Sequence, residues 1–230
     1  MFNFPIFLNL ETLPCLVVGA GPVGLRKARK LLSAGAKRVC LLAASKPGPE
    51  EAELKGVVGF ERKTGLFASE HLKGFCLVFA ATNNPELNAE ICRLGQEMQI
   101  LCSNASDPEN GEFITPASLQ SQGFTLAVSN VAASPTLSRL VCAELAESLS
   151  PRHMQACELL AQIRPWLLSL KLAPETRKEI LNCLAELALV SGLDSTAQNR
   201  LKQIVPPEYF GELWARLQGR LYDKAEAGNA

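Results

Sequence analysis

An open parallel α/β sheet followed by a helical region is the fold class that this sequence predicts, and three observations carry it. A short apolar run, Cys15–Val18, leads directly into the turn Gly19-Ala20-Gly21-Pro22-Val23-Gly24. That turn opens an amphipathic helical stretch over residues 23–34, with apolar positions from Leu25 to Leu32. Strand and helix signals then alternate to about residue 112, the pattern of parallel β-α-β units, and from Ser150 onward the chain reads as helical. The predicted architecture is a Rossmann-type sheet domain over residues 1–112, a small α/β dimerisation region over residues 113–149 and a helical domain over residues 150–230.

Each element has its own signal. Cys15–Val18 is the first strand, and Gly35 closes the helix over residues 23–34 at its carboxyl cap. Residues 38–43 form the second strand, and Pro47, Gly48 and Pro49 make a loop after it. Residues 57–62 read as the third strand and residues 76–80 as a fully apolar fourth. Asn84 is a natural N-cap and Pro85 a natural first residue for a helix over Pro85–Glu97. Residues 100–102 supply a further short strand. Residues 113–116 and 124–129 read as two strands around the turn Ser121-Gln122-Gly123, and Ser134-Pro135 opens a helix to about Leu149. Ser150-Pro151, Ala173-Pro174 and Pro206-Pro207 start three more helices, with Gly192 punctuating between them, and the polar tail from Lys224 is expected to fray.

Composition narrows the class of function. The chain has 230 residues, 47% hydrophobic, which is enough for a real core. Its 23 basic and 23 acidic residues cancel, so nothing favours nucleic acid or an anionic membrane as partner. No apolar run approaches the ~20 residues of a membrane span. The start, Met1-Phe2-Asn3-Phe4-Pro5, lacks the features of a secretory signal, and a cytoplasmic location is expected. The eight cysteines include no C-x-x-C pair and read as small buried hydrophobes in a reducing compartment. His71 and His153 are the only histidines and carry no relay motif.

The glycine turn points to a dinucleotide. Gly19 allows the tight turn, Gly21 lets the backbone approach a pyrophosphate, and Gly24 lets the helix pack against the strand. The helix N-terminus, with Pro22 and Val23 in its first turn, offers N–H groups and a positive dipole end to the phosphates. Thr82 and Asn83, at the tip of an inner strand, are candidate ribose or nicotinamide contacts; helix capping by Asn83 or Asn84 is the competing role. The tip of strand two, Leu42-Ala43-Ala44-Ser45-Lys46, has no acid to bond the ribose hydroxyls, and Lys46 is compatible with a 2′-phosphate.

Several segments together resemble one family. Phe4-Pro5-Ile6-Phe7-Leu8-Asn9-Leu10, Val23-Gly24-Leu25-Arg26-Lys27-Ala28-Arg29-Lys30-Leu31-Leu32 and Ala80-Ala81-Thr82-Asn83 match it in order and spacing. Phe113-Ile114-Thr115-Pro116-Ala117 and Ser134-Pro135-Thr136-Leu137-Ser138-Arg139-Leu140 do so as well. The chain is similar, over about residues 1–155, to the precorrin-2 dehydrogenase and sirohydrochlorin ferrochelatase family. The resemblance implies a homodimer that uses NAD to oxidise precorrin-2 to sirohydrochlorin, often with Fe²⁺ insertion as a second activity. It also sets the expectation that a chain with no methyltransferase segment does not make precorrin-2 itself.

Two departures from the family pattern matter. The family's acidic residue before the F-I-x-P segment falls on Ser106 here, with Asp107 as its neighbour. A hydroxyl holds its proton too tightly to replace a carboxylate as a base near neutral pH, so Asp107 is the candidate catalytic residue. Its competing role is that of a turn residue within Ser106-Asp107-Pro108-Glu109-Asn110-Gly111. The family's S-x-G-G-x-S-P loop reads Ser129-Asn130-Val131-Ala132-Ala133-Ser134-Pro135, without either glycine. Arg139 is the candidate substrate-binding cation for a polycarboxylate tetrapyrrole. Arg26 and Lys27 are weaker candidates, expected on a solvated helix face. Met154, Leu160 and Trp166 are expected in core positions. No His/Cys cluster offers a resident metal site. These departures keep a second reading open: a non-catalytic nucleotide- or tetrapyrrole-binding protein on the same scaffold.

Overall fold

Continuous apolar runs in the inner strands let one sheet bury both of its faces. The structure is a computed structural model that describes residues 4–121, 123–130, 134–190 and 195–227. Five parallel strands, β1 (Cys15–Val18), β2 (Val39–Ala43), β3 (Phe60–Thr64), β4 (Leu77–Ala80) and β5 (Leu101–Asn104), stand in the order β3-β2-β1-β4-β5. Cys15, Val17, Val39, Leu41, Leu77 and Phe79 point to the side of helix α1 (Pro22–Ser33). Leu16, Val18, Cys40, Leu42, Val78, Ala80 and Cys102 point to the side of α2 (Pro85–Glu97). Complete burial of a leucine such as Leu25 or Leu16 contributes about 1.5–3 kcal/mol. The chain crosses one way from β1 to β2 and the other way to β4. The topological switch point, where open α/β sheets take ligands, therefore lies at the carboxyl ends of β1 and β4.

The chain divides into two compact units, Met1–Thr115 and Pro116–Ala230. In the second, strands β6 (Ala117–Ser121) and β7 (Phe124–Val128) form an antiparallel hairpin, and α3 (Pro135–Glu147) contacts both strands. Helices α4 (Pro151–Ser169), α5 (Pro174–Val190), α6 (Ser195–Ile204) and α7 (Pro207–Ala227) follow. Their shared core contains Ile163, Leu167, Ile180, Leu184, Leu201, Leu213 and Leu217. Leu160 and Trp166 pack against that core, as expected from the sequence.

Several elements differ from the sequence reading. The third strand is Phe60–Thr64 rather than residues 57–62. Gly59 turns the chain at φ 87°, and the ladder begins with Phe60 opposite Val39, leaving Val58 92% exposed. Residues 113–116 are not a strand. Phe113 instead packs edge-to-face on Phe79, its ring centroid 5.2 Å away, and the hairpin starts only after Pro116, which has no N–H to pair. Short stretches of tighter helix, Pro49–Leu54 and Ser69–Leu72, flank β3, the first beginning within the expected loop. Helix α6 had no proline start to announce it. The backbone of α7 stays helical to Ala227, past the expected fraying point at Lys224. Gln122 of the hairpin turn, Gly192, and Val131, Ala132 and Ala133 of the departing loop lie outside the described residues.

Candidate functional site

The three glycines of the first turn have three different physical reasons. Gly19 sits at φ 108°, and a Cβ there would lie 2.3 Å from the Ala81 carbonyl oxygen, so β1 and β4 can meet at the switch point only with glycine. A Cβ on Gly24 would lie 1.9 Å from the Gly19 carbonyl oxygen. Gly21 is different. Its φ of −72° suits any residue, and a Cβ would meet nothing within 4 Å. Nothing in the fold demands glycine at this position. The open space in front of it fits the pyrophosphate of a dinucleotide, which needs close approach to the backbone.

The donors for such an anion are in place. Gly21 is the N-cap of α1, Pro22 stands at its first position, and Leu25 N donates back to Gly21 O at 3.0 Å. The N–H groups of Val23 and Gly24 therefore precede the first intrahelical bond. The first turn holds no acid, so nothing there repels a phosphate.

A buried amide ties together the next two strand ends. Asn88, fully buried on α2, accepts from Thr82 N at 3.0 Å and from Thr82 Oγ1 at 2.7 Å. Its Nδ2 donates to Thr82 O at 3.1 Å and to Ser106 Oγ at 2.6 Å. Thr82 thus serves as a structural link at the tip of β4. Capping of α2 falls to Asn84, whose side chain accepts from Leu87 N at 3.0 Å, and Asn83 is left exposed beside the tip. The sequence reading missed Asn88; its only signal was a polar residue on the apolar side of α2.

Asp107 lies just beyond β5, at the same edge. The side chain of Asn104 accepts from the backbone N–H groups of Ser106 and Asp107 at 2.9 and 3.1 Å, folding the loop. The Asp107 carboxylate accepts from Glu109 N at 3.2 Å and from the Asn110 side chain. Its role as a turn cap is therefore filled. Ser106, at the family's acidic position, is exposed and held by Asn88.

At the tip of β2, Arg62 forms an ion pair with Glu51 at 2.7 Å, both side chains about nine-tenths buried. The Arg62 guanidinium also donates to Ser45 O at 2.8 Å, shaping the tip from beneath. Ala44, Ser45 and Lys46 are exposed there.

Lys27 does not lie on the solvated face expected of it. Its ammonium donates to Thr115 Oγ1 at 2.7 Å and stands 5.5 Å from the centre of the Phe79 ring. Burial, with repulsion from Lys30 and Arg26, pushes its pKa down from 10.5 to about 8. Arg26 does remain exposed. In the second unit, Arg139 is exposed on α3. Asn130 donates to Ser134 O at 2.8 Å and to Ser138 Oγ at 2.7 Å, so one side chain braces the start of α3. His71 and His153 each sit in a local capping arrangement, accepting from Ala68 N and Ser150 N at 3.0 Å.

Comparison with known proteins agrees with this geometry. Residues 6–117 match a family described as "Putative NAD(P)-binding". Siroheme synthase 3 of Aeromonas hydrophila is 37% identical over 156 residues, 68% of this chain and 33% of that protein. Siroheme synthase 2 of Aeromonas salmonicida is 39% identical over 154 residues, 67% of this chain and 31% of that protein. The chain spans about a third of the length of these curated relatives. A solved structure, SirC, precorrin-2 dehydrogenase, shares the fold with a TM-score of 0.62 at 22% identity, covering 87% of this chain and 98% of that one. Residues 6–117 thus carry the match to a putative NAD(P)-binding family, and over about two thirds of its own length the chain is similar to siroheme synthases.

Proposed function

We propose that this protein oxidises precorrin-2 to sirohydrochlorin with NAD⁺, a step of siroheme biosynthesis. The observation that carries the reading is the contrast within the glycine turn: Gly19 and Gly24 are required by the fold, whereas Gly21 faces open space in front of a helix N-terminus. Similarity to siroheme synthases over two thirds of the chain supports the substrate class.

Bound NAD⁺ supplies the hydride acceptor. The protein's part is to hold and orient the two reactants and to take up a proton. Gly21 and the N–H groups of Val23 and Gly24 would hold the pyrophosphate. Gly19 brings the ends of β1 and β4 together, and Asn88 fixes the Thr82 backbone where the nicotinamide half of the cofactor would rest. Asp107 is the carboxylate at this edge proposed to receive the proton, and Arg139 is proposed to pair with a substrate carboxylate. Fe²⁺ insertion into the product is a second activity within the proposal, with iron as substrate. A cytoplasmic homodimer completes the reading. Leu137, Leu140 and Leu145 on α3 and Leu119 on β6 are exposed apolar residues suited to a subunit contact.

The specific observation favouring a binding protein instead is the turn-capping carboxylate of Asp107 beside Ser106. Incubating the protein anaerobically with precorrin-2 and NAD⁺ separates the two readings. Sirohydrochlorin and NADH forming in equal amounts supports the dehydrogenase; saturable binding of both ligands without turnover supports the binding protein.

A further inference from the structure

Cys92 and Cys102 take no part in the proposed reaction, yet their sulfurs lie 2.8 Å apart. The two thiols are within hydrogen-bonding distance of each other. The two residues belong to different elements, Cys92 to α2 and Cys102 to β5, and both are buried, at 4% and 0% exposure. Gly95 lies on the same side of α2, where a Cβ would sit in van der Waals contact, 3.4 Å from the Cys102 Cβ.

Cys92 also differs from the buried thiols of Cys15, Cys40 and Cys183. Burial pushes Cys15 up to about 11, with Cys76 adding to the effect, and burial also raises Cys40 and Cys183. Cys92 moves the other way, lowered by its hydrogen bond with Cys102; Cys102 is raised by that same bond and by burial. The shared bond makes Cys92 the easier of the two to deprotonate, the order expected of an attacking and a resolving thiol.

We propose that Cys92 and Cys102 are a redox modification site at which a peroxide-class oxidant closes a disulfide between α2 and β5. The Cys92 thiolate attacks a peroxide oxygen and breaks the O–O bond, giving a sulfenic acid; the released hydroxide takes a proton. The Cys102 sulfur then attacks the Cys92 sulfur, its proton leaving with the sulfenic hydroxyl as water. Two thiols and one hydrogen peroxide give one disulfide and two waters, the sulfurs losing two electrons to the two oxygens. The bond joins the two elements that carry the Asn88–Ser106 bridge. Asn88 precedes Cys92 by one helical turn, and Cys102 precedes the loop-folding Asn104 on β5.

Treating the reduced, folded chain with hydrogen peroxide, then unfolding it, alkylating free thiols and mapping peptides by mass spectrometry tests this. The expected result is a Cys92–Cys102 linked peptide pair with a mass loss of about 2 Da, reversed by dithiothreitol. Either variant, Cys92→Ser or Cys102→Ser, should lose that product. Recovery of both residues as alkylated thiols from the wild type would overturn the proposal. So would linkages confined to the exposed Cys76 or the half-buried Cys157.

Discussion

The side chain of Asn88 donates to Ser106 Oγ at 2.6 Å, joining an α2 residue that grips the end of β4 to the loop that follows β5. This amide has no access to water, so removing it strands its partners. Asn88→Ala should destabilise the protein by about 1–3 kcal/mol, the usual cost of leaving buried polar groups unpaired. It should also raise the KM for NAD⁺, because the Thr82 backbone loses its anchor. Denaturant melts and steady-state kinetics check the two effects; an unchanged KM would confine Asn88 to stability.

Ser106 stands at the family's acidic position, and Asp107 is the neighbouring carboxylate. If the Asp107 carboxylate accepts the proton, Asp107→Asn lowers kcat by about 10²-fold while the Kd for NAD⁺ stays constant. Ser106→Asp should keep or raise activity, since Asn88 Nδ2 can donate to a carboxylate as it does to the hydroxyl. Full activity in Asp107→Asn would leave this side chain with its turn-capping bonds alone.

Lys27 gives the protein a titration with a defined sign. Its pKa falls from 10.5 to about 8 through burial, helped by Lys30 and Arg26. Between those values the unfolded chain holds the proton and the folded chain does not, so unfolding free energy rises with pH across that window. Below the folded pKa both states are protonated and this contribution is absent. Lys27→Met removes the titration. Between about pH 7.5 and about pH 10, the denaturation midpoint of the wild type should climb relative to the variant. Parallel curves would contradict the buried amine.

Residues 42–46 at the tip of β2 include no acid, Glu51 there is paired with Arg62, and Lys46 is exposed. NADP⁺ should therefore bind within about tenfold of NAD⁺, a difference of at most about 1.4 kcal/mol. Ala44→Asp should weaken NADP⁺ by about tenfold or more and spare NAD⁺. Calorimetry with both nucleotides reads this directly, and a strong wild-type preference for NAD⁺ would show that discrimination comes from elsewhere.

Local features were legible in the sequence, and long-range ones were not. The glycine spacing located the turn because each glycine acts within a few residues or at the adjoining strand. Asn84 and Pro85 marked the start of α2 for the same reason: a cap and its helix are neighbours in sequence. Val57 and Val58 misled because apolar side chains do not by themselves set strand register. Gly59 does so here, by turning the chain into the ladder. The burial of Lys27 depends on Thr115, 88 positions away, and the bridge from Asn88 to Ser106 spans 18 positions. Helical periodicity contains no information about either partner.

On the proposed function, Gly21 is a glycine because a nucleotide, not the protein, occupies the space before it. Gly21→Asp tests this by separating stability from binding in a single variant. An aspartate suits an N-cap as well as glycine does, changing helix stability by only about a few tenths of a kcal/mol, so the thermal transition should hold. By contrast, Gly24→Ala should lower it, since its Cβ meets the Gly19 carbonyl oxygen at 1.9 Å. Calorimetric titration of Gly21→Asp with NAD⁺ should find binding abolished in a folded protein. Wild-type affinity in that variant would contradict the assignment of this turn to the dinucleotide.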